Sequence, residues 1–361
     1  MASKSSFAKR VTLAAFIVLL IASGFYLLAA AAYFFLLVFA GILMAVLFCG
    51  LTDWVVRHLG LKRWLALLLV TLLVFGLLIG SFLLVAPTIY EQGDQMREKI
   101  PQAFNSLKEW LSQYNWGQRL VEELPEDYKR MMPEQREILQ RLSGAFSSTL
   151  SVLADFFIVV ITALFFAANP TLYTHGFVKL FPERRRTRML EVLHACYYTL
   201  KMWLLGMLSA MAIIGVSTAI AYMIIGLPLA LALGLISFFL AFIPNIGPWL
   251  AGIPAVLIGL TVSPDMALLV IIVYGGIQMV ETYIITPIIF QKTVDLPPAL
   301  LLFFQVLLGI LQGGLGLLMS APILAVLIVV INELYVKDVL ESGRGAESDT
   351  VQASGSAEVE S

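Results

Sequence analysis

Residues 226–262 read GLPLALALGLISFFLAFIPNIGPWLAGIPAVLIGLTV, and residues 295–331 read DLPPALLLFFQVLLGILQGGLGLLMSAPILAVLIVVI. Both stretches are apolar almost throughout, and both start on a Leu-Pro pair (Leu227-Pro228, Leu296-Pro297). Each is broken in its middle, one by Ile243-Pro244-Asn245-Ile246-Gly247-Pro248, the other by Gln312-Gly313-Gly314-Leu315-Gly316. The Leu-Pro starts and the Ile246-Gly247 and Leu315-Gly316 pairs match at one constant offset. Pro254 and Pro322 close the units one residue out of step. Between the units lies one apolar segment, roughly 266–286, long enough to cross a bilayer. A single crossing between two copies makes them enter the membrane from opposite sides. Paired, broken apolar segments in inverted topology are the sequence pointer to the binding site of a secondary transporter. The pattern predicts an all-helical polytopic membrane protein with two inverted broken-helix hairpin units.

Composition agrees. The chain is 60% hydrophobic and 13% charged, with a mean hydropathy of +0.91. A water-soluble domain has no way to hide that much apolar surface. The net charge of −1 singles out no partner, and no nucleic-acid partner is expected. Cys49 and Cys196 lie far apart in or beside apolar segments, which is neither a metal spacing nor a disulfide framework. His58, His175 and His194 are isolated and read as interfacial residues. No G-x-x-x-x-G-K-[ST] run and no nucleophile motif is readable, so neither an ATPase nor another enzyme is expected, and no metal or cofactor.

The rest of the chain orders itself around the two units. The apolar run from Val11 to Leu51 reads as two membrane helices joined near Ala30–Phe34, and Trp64 to about Val85 as a third. The expected divisions are therefore 1–86, three membrane helices, and 87–148, a helical extracytoplasmic segment with a break at Pro101 and a second helix from Pro133. Next come 149–202, a fourth helix and a basic segment; 203–262 and 263–337, each a helix plus a broken hairpin; and 338–361, a Ser-, Gly- and Glu-rich tail expected to be disordered. Three basic clusters fall on one side if the N-terminus is cytoplasmic: Lys4, Lys9 and Arg10; Arg57, Lys62 and Arg63; and Lys179 through Arg188. Cytoplasmic loops carry such excess, so both termini are expected inside and 87–148 outside.

Polar residues inside apolar segments are costly, and therefore informative. Gln278 and Glu281 share one face of the connecting span. Asn245 sits at the first break, and Gln305 and Gln312 in the second unit. Open backbone at the breaks can bind a polar solute or an ion. Glu281 is then the proton- or cation-coupled group. The competing reading makes the three glutamines interhelical hydrogen-bonding groups and Glu281 half of a structural pair.

From Leu180 to Val336 the chain resembles the autoinducer-2 exporter family of bacterial membrane proteins. The resemblance rests on Leu180-Phe181-Pro182 before the Arg cluster, Gly226-Leu227-Pro228, the Ile243–Pro248 run, Ile253-Pro254, Gln278 with Glu281, Thr286-Pro287, Leu296-Pro297-Pro298, Gln312–Gly316 and Ala321-Pro322. Thr282-Tyr283 and Leu296-Pro297-Pro298 stand where the family often has a small residue with Asn, and Leu-His-Pro. The resemblance implies an oligomeric inner-membrane secondary transporter that exports a small polar solute such as autoinducer-2, or else a sodium/proton antiporter. With the residue reading it gives an expected pathway of Pro244, Asn245, Gly247, Pro248, Gln278, Glu281, Tyr283, Pro287, Gln305, Gln312, Gly313, Gly314 and Gly316, in contact with solute or a monovalent cation and surrounded by lipid. A membrane scaffold or sensor acting through 87–148 is the remaining alternative.

Overall fold

A computed structural model describes residues 2–81, 83, 109, 110, 112, 113, 153–290 and 296–341. Most of the expected extracytoplasmic segment 87–148, the tail beyond Glu341 and the Asp295 that opens the second unit lie outside the described residues. All regular structure among the described residues is helical. Five helices there are long and apolar enough to cross a membrane, or six if one sharply bent pair counts as a span.

Helix α1 runs unbroken from Ala2 to Leu59. This corrects the expectation of two membrane helices joined near Ala30–Phe34. No Pro interrupts 11–51, and the Ala29–Ala32 run that overlaps the expected joint consists of the strongest helix former. Its Ala31–Leu59 part has the length and hydropathy of a span. Helix α2 (Arg63–Ser81) follows, then α3 (Leu153–Ala168) and α4 (Pro170–Val178), bent 86° from each other. The bend has a local cause. Pro170 drives the preceding residue out of the helical region, and Asn169 sits at φ −135°, ψ 67°.

Helix α5 (Glu183–Ile224) is 42 residues long, about 63 Å at 1.5 Å per residue. That is twice the hydrocarbon thickness, so one end of it projects beyond the bilayer. It is the central post of the fold. Trp203 and Met207 pack with Leu36 and Leu43 of α1 and with Met319 and Leu324 of the last helix. Further along, Tyr222 packs with Leu233, Ala255 and Val270 of the next three helices. A second face of α1, carrying Phe48, packs on Ala66 and Val70 of α2 and on Ala163 and Ala167 of α3. Between α1 and α3, the Tyr33 hydroxyl donates to the Asp155 carboxylate.

The first broken unit is α6 (Ala230–Leu240) and α7 (Gly247–Val262). Small residues let α6 lie close against α5: a Cβ on Gly234 would stand 2.5 Å from the Cβ of Ala219. The tip between α6 and α7 turns through Asn245, whose φ is 65°. Asn tolerates the left-handed region better than other side-chain-bearing residues. The chain then folds back, and a Cβ on Gly247 would stand 1.8 Å from the Leu240 carbonyl oxygen.

The connecting span is α8 (Pro264–Ile289), capped by the Ser263 hydroxyl, which accepts from Met266 N–H at 3.0 Å. At Glu281–Ile285 it widens into a π-turn. Pro287 lacks an N–H and its ring crowds the carbonyl four residues back. The widened turn accommodates it, with Thr286 N–H donating to the Glu281 carbonyl, five residues back.

The second unit is α9 (Pro298–Ile331), broken at Gly313, where φ is 65° and ψ −146°. Along a straight helix, residues eight apart are separated by about 12 Å. Here a Cβ on Gly316 would stand 2.2 Å from the Leu308 carbonyl oxygen, so the two arms fold back on each other. Beyond Ile331 the chain continues in wide π-turns, Asn332–Glu341. Arg188 near the start of α5 clasps this end. Its guanidinium reaches Glu333 at 2.9 Å, Asp338 at 2.9 Å and Glu191 at 3.0 Å, and also donates to the Glu333 carbonyl. Arg188→Ala is expected to release these turns. Limited trypsin digestion of the purified protein should then cut after Lys337 faster than in the wild type, and an equal rate would mean that the clasp holds nothing.

Candidate functional site

The residues singled out on the connecting span converge with the first break. Gln278 and Glu281 of α8 and Pro244, Asn245 and Pro248 of the tip line one cavity of about 1330 Å³, and Pro287 lines it as well. Its remaining wall is largely apolar, with Trp203 and Met207 from α5, Trp249 from α7 and Leu301 from α9.

Several groups shape this cavity. The Tyr274 hydroxyl donates to the Pro248 carbonyl at 3.0 Å, which ties α8 to the start of α7. The Thr286 hydroxyl donates to Glu281 Oε1 at 3.0 Å, a contact that the π-turn makes possible by carrying Thr286 around to the glutamate. Gln278 Nε2 is buried and has no hydrogen-bond partner in the protein. It is a buried donor left unpaired on a residue that lines the cavity, so a rotation of the amide toward an occupant would gain a hydrogen bond that the resting side chain lacks.

The second unit meets the first through Gln305. This side chain is fully buried and its Nε2 donates to the Pro244 carbonyl at 2.9 Å. The contact joins the first arm of α9 to the tip of the other unit. It lies eight residues, about 12 Å of helix, before the Gly313 break.

The structure therefore divides the expected pathway. It brings together Pro244, Asn245, Pro248, Gln278, Glu281 and Pro287, with Gln305 directly behind Pro244. Gly247 is buried against Leu240, in the fold of the tip rather than on the cavity wall. Tyr283 is not on the cavity wall and is 77% exposed. Gln312, Gly313, Gly314 and Gly316 form the second break, which the cavity does not reach.

The expected pathway left out Tyr274, Trp203, Thr282 and Thr286, all of which line the cavity. The signal for Tyr274 was present. Positions 274, 278 and 281 follow the i, i+4, i+7 spacing of one helical face. Thr286 was not reachable that way, because a regular helix would place it on a different side from Glu281.

Comparison with known proteins bears on the same residues. A profile described as AI-2E family transporter matches residues 13–336. The chain is similar to "Putative transport protein YueF" of Bacillus subtilis (strain 168), 27% identical over 301 residues, covering 80% of this chain and 82% of that protein. It is also similar to "Putative transport protein YrrI" of the same organism, 27% identical over 294 residues, covering 79% and 82%. A third relative, "Putative transport protein MT0215" of Mycobacterium tuberculosis (strain CDC 1551 / Oshkosh), is 24% identical over 303 residues, covering 79% and 78%. With a match that spans the first helix, both broken units and the cavity between them, this multi-pass membrane chain belongs to the AI-2E family of transporters.

Proposed function

We propose that the chain is a secondary transporter whose solute passes through the cavity between the first broken unit and α8. One observation carries this reading: a non-helical tip in the apolar part of the protein lines the same cavity as an unpartnered amide and a carboxylate, Gln278 and Glu281. Irregular backbone at membrane depth is tolerated where it is buried in protein or lines a wet cavity. In this reading Asn245 and the tip contact the solute, Gln278 orients it, and Glu281 couples its movement to an ion. The two broken units act as inverted halves. Gln305 transmits motion of one unit to the tip of the other. Flux runs on an ion gradient or on the solute's own gradient. Export of a small polar solute of the autoinducer-2 kind follows from the family resemblance alone.

A monovalent cation/proton antiporter is the second reading. It is favoured by Glu281 being the one charged side chain among the described residues of the cavity wall. Proteoliposomes separate the two. Under the antiporter reading, Na⁺ added without organic solute dissipates a preset pH gradient. Under the solute reading it does not, and a solute screen gives protein-dependent uptake. Protein-dependent flux in neither assay would overturn the transporter proposal.

We place the protein in the bacterial plasma membrane with 57–63, 179–188 and the C-terminal end on the cytoplasmic face, following the basic clusters. A cytoplasmic N-terminus, expected from charge alone, would need the break near Ala30–Phe34 that α1 lacks. In a background without Cys49 and Cys196, a Cys introduced at Asn115 should react with an impermeant thiol reagent added to intact cells, and one at Arg185 should not. Labelling at 185 from outside would reverse the orientation.

A further inference from the structure

The cavity wall carries more information than the presence of a carboxylate. Among the described residues that line it, Glu281 is the one acidic side chain, and none is Lys, Arg or His. The elements that enclose it are α5, the 241–248 tip with α7, α8 and the start of α9. They contribute Trp, Met, Ile, Leu, Pro, Gly, Ala, Val, Tyr and the polar groups of Asn245, Gln278, Thr282 and Thr286. Among the described residues of the wall, the one formal charge presented to an occupant is therefore negative.

Three ligand classes fit poorly. An anion finds no countercharge among the described lining residues. A polyol with many hydroxyls finds few partners, because the polar groups on the wall are sparse. A bare alkali cation would surrender a full shell of water oxygens, and an apolar wall with one carboxylate cannot replace that shell.

What fits is a weakly hydrated cation with apolar bulk. Trp203, Trp249 and Tyr274 line the cavity, and indole and phenol faces attract cations through their quadrupoles, quaternary ammonium groups above all. A volume of about 1330 Å³ has room for a polyatomic body rather than a single ion. The Glu281 carboxylate accepts from the Thr286 hydroxyl, and with about four lone-pair sites it keeps capacity for an incoming charge.

We propose that this cavity binds an organic monocation with an apolar body, held by Glu281 and the aromatic side chains Trp203, Trp249 and Tyr274. The inference rests on the reading of the cavity as the solute passage and names the class of solute.

The test uses the full chain in lipid nanodiscs and two probes of one shape and opposite charge, tetraphenylphosphonium and tetraphenylborate. Equilibrium dialysis, corrected with empty nanodiscs, measures saturable binding. The phosphonium is expected to saturate and the borate not to. Glu281→Gln should weaken the phosphonium about 30-fold or more, while Glu281→Asp, which keeps the charge, should retain most of the binding. Saturable binding of both probes alike, no saturable phosphonium binding, or an unchanged affinity in Glu281→Gln would each overturn the proposal. The comparison between the two probes in the wild type does not depend on how any variant folds. Proteoliposome flux separates this proposal from the functional reading. If the phosphonium binds through Glu281 but is not moved, and no other solute is, the ligand class stands and the transport reading fails. If it does not bind while another solute is moved, transport stands and the ligand class fails.

Discussion

Glu281→Gln is expected to abolish ion-coupled flux, or to strip it of its pH dependence, in protein that is made and inserted at normal levels. The structure explains why the two effects separate. Thr286 donates to Glu281 Oε1 at 3.0 Å, and a Gln carbonyl oxygen in the same place accepts that hydrogen bond equally well. The size of the side chain and the π-turn beneath it are unchanged, so assembly does not depend on the charge. What disappears is the acidic group that faces the cavity. Removing one partner of a desolvated charge pair costs about 2–5 kcal/mol, which is about 30-fold or more in affinity for a cationic cargo or coupling ion. Flux in proteoliposomes across a series of pH values checks this. A Gln variant that is made normally and transports with an unchanged pH profile would make Glu281 structural, with Thr286 as its partner. The transporter reading could survive that result, but the coupling role could not.

How far the site was legible in the sequence depended on which interactions are local. The first break announced itself, because Pro244, Asn245, Gly247 and Pro248 occur together inside an apolar run that offers no other reason for them. Gln278 and Glu281 were legible as a pair, since three residues of helix set both on one face. The π-turn was not. Its cue is Pro287, but a Pro in an apolar helix predicts a kink as readily as a widened turn, and only the widened turn brings Thr286 to Glu281. Gln305 was correctly marked as an unusual polar residue, yet its partner is the Pro244 carbonyl, 61 residues away. No local pattern encodes that choice. The same limit applies to the second break. Gly313 and Gly316 were read as lining a shared cavity with the first tip, because two similar sequences suggest two similar surroundings. Whether two breaks meet depends on where each arm docks, and α9 docks through Gln305, short of its own tip.

The N-terminal helix failed for a different reason. A hydrophobic run long enough for two spans invites a turn, and the stretch near Ala30–Phe34, which overlaps the Ala29–Ala32 run, was given that role. Small residues permit turns only when they also destabilise the helix, and Ala stabilises it. Gly41 in the same helix has another use. A Cβ there would stand 2.6 Å from Thr162, so the missing side chain lets α3 press against α1. Glycine in a membrane helix marked a contact here, as Gly234 does in α6, whereas at the tips of the broken units it marked a fold-back, and composition does not distinguish the two.

That distinction can be measured, and it gives the second large effect. Gly247→Ala and Gly316→Ala are each expected to destabilise the protein severely, by about 3 kcal/mol or more. At both positions the new methyl group meets backbone instead of a flexible side chain. The distances are 1.8 Å to the Leu240 carbonyl oxygen and 2.2 Å to the Leu308 carbonyl oxygen. Neither contact can be relieved by changing a rotamer, so the arms of the hairpin must separate. Separation exposes the backbone groups of the tip to an apolar surrounding, which adds to the cost. Gly276→Ala and Gly314→Ala are the controls. They add the same methyl group, one in the connecting span and one beside the second break, but nothing lies within 4 Å of either, and Ala in a helix is favoured over Gly by about 0.5–1 kcal/mol. Thermal unfolding in detergent, followed by the loss of monodisperse protein, should show the first pair falling well below the wild type and the second pair level with it or slightly above. If all four variants unfold together, the two units are not folded back at Gly247 and Gly316. The cavity would then lose the tip that forms one of its walls, and the solute passage proposed here would lose its basis.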